Sequence, residues 1–227
     1  MSRSLFTSRE GGVSSAPYLS FNLATHVGDD VEAVHKNREI LAASFGIIRH
    51  SLFFMNQVHG RDVAVIDENS SSADLPAVDA LFTTSNGIAL VTLVADCIPL
   101  LLHSPRAVAA VHVGRAGLIN NVAIKALEQM RNLGANQIHA ILGPSICGKC
   151  YEVPLKMQQE VASTHPASLS STYQGSPSLD LPAGLIAELM KQGVTYEASP
   201  ICTMEDPLYY SHRRDNPTGR FAGVVSL

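Results

Sequence analysis

A chain of 227 residues can build one sizeable core, and 46% of them are apolar against 16% charged. That composition excludes a disordered chain, and a net charge of −4 leaves no electrostatic footprint for nucleic acid or an anionic membrane. Four cysteines are too few for a disulfide scaffold, so a reducing cytoplasm is the expected compartment.

The N-terminal residues 1–10 carry charge but no apolar stretch, which argues against a signal peptide. Ser8-Arg9-Glu10-Gly11-Gly12-Val13-Ser14 reads as flexible and donor-rich, a candidate anion cradle. Residues 31–45 read as a helix entered through Asp30 as N-cap, with Glu32 in its first turn, and ended by Gly46. Strands are expected over 52–55 and 62–66, then a surface loop over 69–76. The longest apolar run, 87–102, contains Asp96 and Pro99 and fits a buried strand (88–102) better than a membrane span. A strand over 107–113 follows, joined to it at Ser104-Pro105-Arg106. Helical spacing of Ile119, Val122, Leu127, Met130 and Leu133 predicts a helix over 118–133 capped by Gly134. Beyond it come a strand at 138–142, helices at 153–162 and 183–192 around a loop at 165–178, and strands at 194–197 and 221–225. The chain is mixed α/β, with no repeat, no long linker, no regular βαβ rhythm and no phosphate-binding glycine fingerprint. One domain over 1–227 is expected.

Three reactive side chains lie in or beside strand-like segments: His59 in Asn56-Gln-Val-His-Gly60, Cys97 in Ala95-Asp-Cys-Ile-Pro99, and His112 in Ala110-Val-His-Val-Gly114. If Ser104-Pro105 is a two-residue hairpin loop, His103 faces Arg106 and, further back, Cys97 faces His112 on one side of the sheet. Thiolate and imidazoles suit an open zinc site that activates water, although the same donors hold copper. Alternatively His112 deprotonates Cys97, which attacks as a nucleophile. The plain alternative is a core cysteine beside two unrelated histidines. Gly114, Arg115 and Gly117 at the entry to the next helix offer backbone and side-chain charge to an anion.

Cys147-Gly-Lys-Cys150 is weak by itself, because a closed zinc site needs two more ligands and only Cys202 and His212 are evident. The run His212-Arg213-Arg214-Asp215 is either a phosphate or carboxylate contact or a solvated turn with a local ion pair.

Taken in order, Arg9-Glu-Gly-Gly-Val-Ser14, Asn56-Gln-Val-His-Gly60, Val78-Asp-Ala-Leu81, Ala95-Asp-Cys-Ile-Pro99, Ala110-Val-His-Val-Gly114, Leu142-Gly-Pro144, Cys150-Tyr-Glu-Val153, Cys202-Thr203 and His212-Arg-Arg-Asp215 resemble the YfiH family of laccase-domain proteins. That family is also called the multicopper polyphenol oxidase or purine nucleoside phosphorylase family. The resemblance implies a single-domain α/β/β/α sandwich with mixed sheets and a zinc held by His59, Cys97 and His112. It implies phosphorolysis of adenosine, inosine and methylthioadenosine, with some adenosine deamination. Copper-dependent phenol oxidation and cysteine-dependent editing of peptidoglycan precursors are the competing labels. The expected partners are purine nucleosides and phosphate, without nucleic acid or membrane, and self-association is left open. Arg9 and Arg213 are the candidate phosphate ligands, Gln57 and Asn22 the candidates for ribose or base. Two departures stand out. The family's Gly-Trp-Arg-Gly is Gly114-Arg115-Ala116-Gly117 here, and Cys147 replaces a usual glycine while Lys149 replaces a usual cysteine, which speaks against a general role for the CxxC.

Overall fold

The computed structural model describes residues 2–74 and 76–227. The readings that touch Met1, at the head of the N-terminal segment, and Leu75, inside the 69–76 loop, fall outside the described residues at those two positions. In chain order the elements are β1 (Arg3–Phe6), α1 (Val31–Phe45), β2 (Leu52–Phe53), β3 (Val63–Val65), β4 (Ala80–Thr83), β5 (Ala89–Val94), β6 (Ile98–His103) and β7 (Val108–Val113). They continue as α2 (Arg115–Ile119), α3 (Val122–Asn132), β8 (His139–Leu142), α4 (Leu155–Thr164), β9 (Leu169–Ser171), β10 (Pro177–Leu179), α5 (Leu181–Lys191), β11 (Thr195–Ala198) and β12 (Phe221–Ser226).

Two mixed sheets carry the fold. A four-stranded sheet runs β1-β12-β5-β2, and a six-stranded sheet runs β11-β8-β6-β7-β4-β3. Their inner faces meet through Phe53, Leu81, Leu90, Leu101, Val108 and Val225, all buried. The outer face of the first sheet packs on α1 through Leu41, Phe45, Val91 and Val224. The outer face of the second is covered by the remaining helices, with Leu118, Leu127, Val161 and Leu185 against Phe82, Leu100 and Val111. The result is the expected α/β/β/α sandwich. β5 and β6 are buried along almost their whole length because each has a layer on both sides, so they read as continuous apolar runs rather than alternating ones. No helix among the described residues is long and apolar enough to cross a membrane.

Local chemistry accounts for the helix ends. The Asp30 side chain accepts from Glu32 N–H at the start of α1, and Gly46 closes it in the left-handed conformation with φ 72°. Three expectations need correction. The strand read over 88–102 is two strands in different sheets, separated by a turn at Ala95-Asp96-Cys97 in which Asp96 has φ 90°. The helix read over 118–133 is α2 and α3, broken at Asn120-Asn121, where Asn121 adopts φ 59°. The loop read over 165–178 holds most of the β9–β10 hairpin, which ends at Leu179, and β1 and β4 lie where no strand was read.

The hairpin register also differs. Ile98 stands opposite Val113, Pro99 opposite His112, and His103 opposite Val108. The turn is centred on Pro105-Arg106, with Ser104 N–H donating to Ala107 O at 2.9 Å and Ser104 Oγ accepting from the N–H groups of Arg106 and Ala107. Ser at the first position and Pro at the second is the favoured arrangement of such a turn, whereas a Ser104-Pro105 loop puts Pro where it is disfavoured. Cys97 therefore precedes β6 and is not a cross-strand partner of His112.

Candidate metal centre

The triad assembles nonetheless. Ligand atoms of His59, Cys97 and His112 all lie within 4.8 Å of one another. Each arrives by a different route. Cys97 sits on the crossover that carries the chain from the four-stranded sheet to the six-stranded one, just after β5. His112 is the penultimate residue of β7, and His59 lies on the loop between β2 and β3 with φ 57°. Gly114 lets them close. A Cβ there would lie 3.0 Å from Cys97 Sγ and 3.0 Å from His59 Nδ1.

Asp79 organises two of the three. It is fully buried, and its Oδ1 lies 2.8 Å from His112 Nδ1. The same carboxylate accepts the backbone N–H groups of Val58, His59 and Gly60 at 3.2, 3.0 and 2.6 Å. Its Oδ1 thus fixes the His112 ring with Nδ1 occupied, leaving Nε2 for a metal, while both oxygens hold the loop that presents His59. Burial alone would raise the Asp79 pKa, but the hydrogen bonds from His112, Gly60 and His59 outweigh it and keep the carboxyl below its ordinary value. Burial opposes charge on His112, yet the neighbouring Cys97 charge and the Asp79 hydrogen bond prevail and push that imidazole up to about 9. Burial, followed by His112, pushes His59 down. The two rings meet edge to face with centroids 4.8 Å apart. Two imidazoles and a thiol around one point, with the far nitrogen of the buried ring anchored by a carboxylate, are a donor set suited to a transition metal.

The Asp96 turn is pinned from outside. Thr203 Oγ1 donates to Asp96 Oδ1 at 2.7 Å, Arg213 N–H donates to Oδ2 at 2.7 Å, and Ile146 N–H donates to Asp96 O at 2.9 Å. A non-glycine residue at φ 90° is held there by such contacts, which makes the backbone beside Cys97 a built feature.

Two cavities open on either side of Cys97 and share Ala95, Cys97 and His212. The larger, about 250 Å³, is lined by His26, Gln57, His59, Leu93, His112 and Arg220 among others. The smaller, about 200 Å³, adds Arg115, Ile146, Tyr151, Leu181 and Arg213. Arg213 lies over the Tyr151 ring at 5.2 Å from its centroid.

Of the four expected substrate contacts, Gln57 and Arg213 line these cavities and the other two do not. Gln57 is partly spent, since its Nε2 donates to Leu93 O and its Oε1 accepts from Leu93 N–H. Asn22 is wholly buried, bonding Ala24, Asp29 and the Arg220 N–H, so its polar atoms are engaged within the fold. Arg9 donates to Leu19 O, lies over Tyr210 and approaches Asp215 at 4.0 Å. The segment around it is no anion cradle either, because the N–H groups of Gly12, Val13 and Ser14 donate to Ser20 Oγ, Asn37 Oδ1 and Ser20 O. Arg214 is structural too, donating to Thr203, Met204, Asp206 and Tyr209 carbonyls. Sequence reasoning missed Asp79, His26, Tyr151 and Arg220. Asp79 lay inside a quoted motif, and a lone acid in an otherwise apolar strand start was the signal for it.

The family profile described as multi-copper polyphenol oxidoreductase laccase matches residues 3–227. A purine nucleoside phosphorylase of Streptomyces coelicolor is 48% identical over 98% of this chain and 94% of its own length. The purine nucleoside phosphorylase YlmD of Bacillus subtilis is 30% identical over 98% of this chain and 87% of its own. Among solved structures, a Bacillus licheniformis hypothetical protein YfiH superposes with a TM-score of 0.93 at 27% identity, covering 100% of this chain and 92% of that one. YlmD from Geobacillus stearothermophilus gives 0.90 at 29% identity, covering 99% and 91%. With a matching profile along almost its whole length and the same fold as these neighbours, the chain belongs to the laccase-domain family of YfiH and YlmD.

Proposed function

We propose that this protein is a zinc-dependent purine nucleoside phosphorylase acting on adenosine, inosine and methylthioadenosine, with adenosine deamination as a side activity. The observation that carries the reading is the Asp79-oriented cluster of His59, Cys97 and His112 at the junction of two cavities, one of which holds two arginines. The names of the relatives point to the same reaction. Three protein ligands of nitrogen and sulfur with an open fourth position are the catalytic form of zinc, and zinc bound there would supply a Lewis acid and an acidified water.

The side chains divide the remaining work. Arg213, with Arg115 in place of the expected Arg9, offers cationic donors for phosphate in the smaller cavity. Gln57 keeps one amide hydrogen and one lone pair for the base or ribose in the larger cavity. Burial, then Arg220 and Arg38, push His26 below its usual value, so at neutral pH it contributes a hydrogen bond without a charge. In phosphorolysis a phosphate oxygen bonds to the anomeric carbon as the glycosidic C–N bond breaks, and the purine leaves with that electron pair and takes a proton. His212, which lines both cavities, is the candidate to give it. Zinc-loaded protein incubated with each nucleoside and phosphate should release free base and ribose 1-phosphate, or the methylthio sugar phosphate. Release of neither product from any of the three refutes the reading.

The laccase description of the family keeps a copper oxidase in view. The other candidate ligand group among the described residues contains no histidine, so a second imidazole-rich copper centre finds no support. Elemental analysis beside nucleoside turnover separates the metals. Activity that survives chelators but not alkylation of Cys97 would favour the nucleophilic amidase instead.

A further inference from the structure

Away from the triad, Cys147, Cys150, Cys202 and Glu205 place their ligand atoms within 4.8 Å of one another. The two halves of this cluster have the same spacing: Cys147-Gly-Lys-Cys150 and Cys202-Thr-Met-Glu205. They also have the same backbone turn, with Cys150 N–H donating to Cys147 O at 3.0 Å and Glu205 N–H donating to Cys202 O at 3.1 Å. An isolated parallel bridge, Ser145 with Cys202, brings the turns side by side, and Cys147 N–H points at Cys202 Sγ at 3.3 Å. The fourth donor beside the three cysteines is Glu205, while His212 lines the triad cavities instead.

The first turn is fixed by its surroundings. Gly148 O accepts from Ser178 Oγ at 2.6 Å, and a Cβ on Gly148 would meet Asp180 Cβ at 2.7 Å and Ser170 Oγ at 2.8 Å. Two paired knuckles presenting two ligands each are the usual way a small loop pair encloses zinc, and four-coordinate closed sites are structural rather than catalytic. Zn–S bonds of about 2.3 Å separate tetrahedral ligand atoms by about 3.8 Å, so the four atoms need to draw in by only about 1 Å. The carboxylate favours zinc over copper(I), which prefers an all-sulfur set.

We propose that Cys147, Cys150, Cys202 and Glu205 form a second, structural zinc site that clamps the 147–150 turn to the 202–205 turn. Each thiol that binds releases its proton to solvent. The clamp bears on the smaller cavity through a residue next to a cysteine in each half: Tyr151, after Cys150, lines that cavity, and Thr203, after Cys202, holds Asp96 beside Cys97.

The test is metal content per chain, measured on protein purified under reducing conditions, loaded with zinc and desalted. Wild type should carry two equivalents, His59→Ala/His112→Ala one, and Cys150→Ser/Glu205→Gln one. In the His59→Ala/His112→Ala background, cobalt(II) should give a tetrahedral spectrum with strong thiolate charge transfer, which Cys150→Ser abolishes. Cys202 is buried and is left intact so that the variants fold. A single equivalent in wild type with none in His59→Ala/His112→Ala overturns the proposal. So does a disulfide among these cysteines in protein handled anaerobically with reductant, or a cobalt spectrum without thiolate bands.

Discussion

Replacing Asp79 by Asn would keep the shape of the residue but remove the charge that faces His112 Nδ1. The amide could present its NH₂ to that ring and reverse the tautomer, turning Nε2 from a ligand into a donor. Metal affinity of the triad is expected to fall about 10–100-fold, the usual loss when such a partner is altered. Competition with a chromophoric chelator in the Cys150→Ser/Glu205→Gln background measures it, and an unchanged affinity would show that Asp79 only supports the fold. The His112 shift also has a sign. In metal-free protein a raised imidazole pKa adds stability that is fully present below about 6.5 and is lost as pH rises through about 9. Asp79, held below its usual value, adds stability that disappears only as pH falls through its lowered pKa. Chelated protein should therefore have a lower urea midpoint at pH 9.5 than at pH 6, and equal midpoints would disprove the shift. Zinc bound at the triad would have to displace the His112 proton, so its apparent affinity should run the other way, rising with pH up to about 9.

At the level of elements, the crossover between β5 and β6 matters most. Thr203→Val deletes the 2.7 Å bond to Asp96 and leaves that carboxylate one donor short. A cost of about 1–2 kcal/mol in unfolding free energy is expected, together with weaker metal binding as the Cys97 turn loosens. Gly114→Ala should be harsher at the site, since its Cβ would press on both Cys97 Sγ and His59 Nδ1. Metal content should fall while circular dichroism stays near wild type; full loading would show that the cradle is wider than it looks. This crossover was also where the sequence misled. Residues 88–102 form one apolar run because both strands are covered on both faces, and the turn contains no glycine. Asp96 is held at φ 90° by Thr203 and Arg213, more than a hundred positions away, so no local signal marked it. By contrast α1 was legible at both ends, because Asp30 and Gly46 act on their own helix. The cluster of His59, Cys97 and His112 was legible as residue types, although the hairpin register offered to join two of them was not the one adopted. Asn22 and Arg9, read as candidate ligand contacts, line neither cavity, and a buried amide or a stacked guanidinium looks the same in a sequence as a ligand contact.

For the whole molecule, the triad depends on both sheets at once. β5 delivers Cys97 from one sheet and β7 carries His112 in the other, while Leu101 lies fully buried in the core between them. Leu101→Ala should cost about 2–5 kcal/mol, and metal release should coincide with global unfolding rather than precede it. Circular dichroism with a metal indicator tests this, the chain having no tryptophan to report by fluorescence. Metal lost in a separate, earlier transition would mean that the site is carried by one layer alone. The layered class was readable from alternating element types, but the division of strands between two sheets rests on pairings between distant segments. One of these reaches furthest. Among the described residues β1 pairs only with β12, and Thr7 Oγ1 accepts from Ala222 N–H, 215 positions along the chain. On the ribosome β1 must wait, with an open edge, until β12, more than 200 positions later, has been made. Such non-local closure is slow and leaves a strand edge exposed meanwhile. Nascent chains of this protein should therefore lean on a holding chaperone until β12 is released, and a tag or truncation that disturbs 221–226 should harm yield more than one placed in a surface loop.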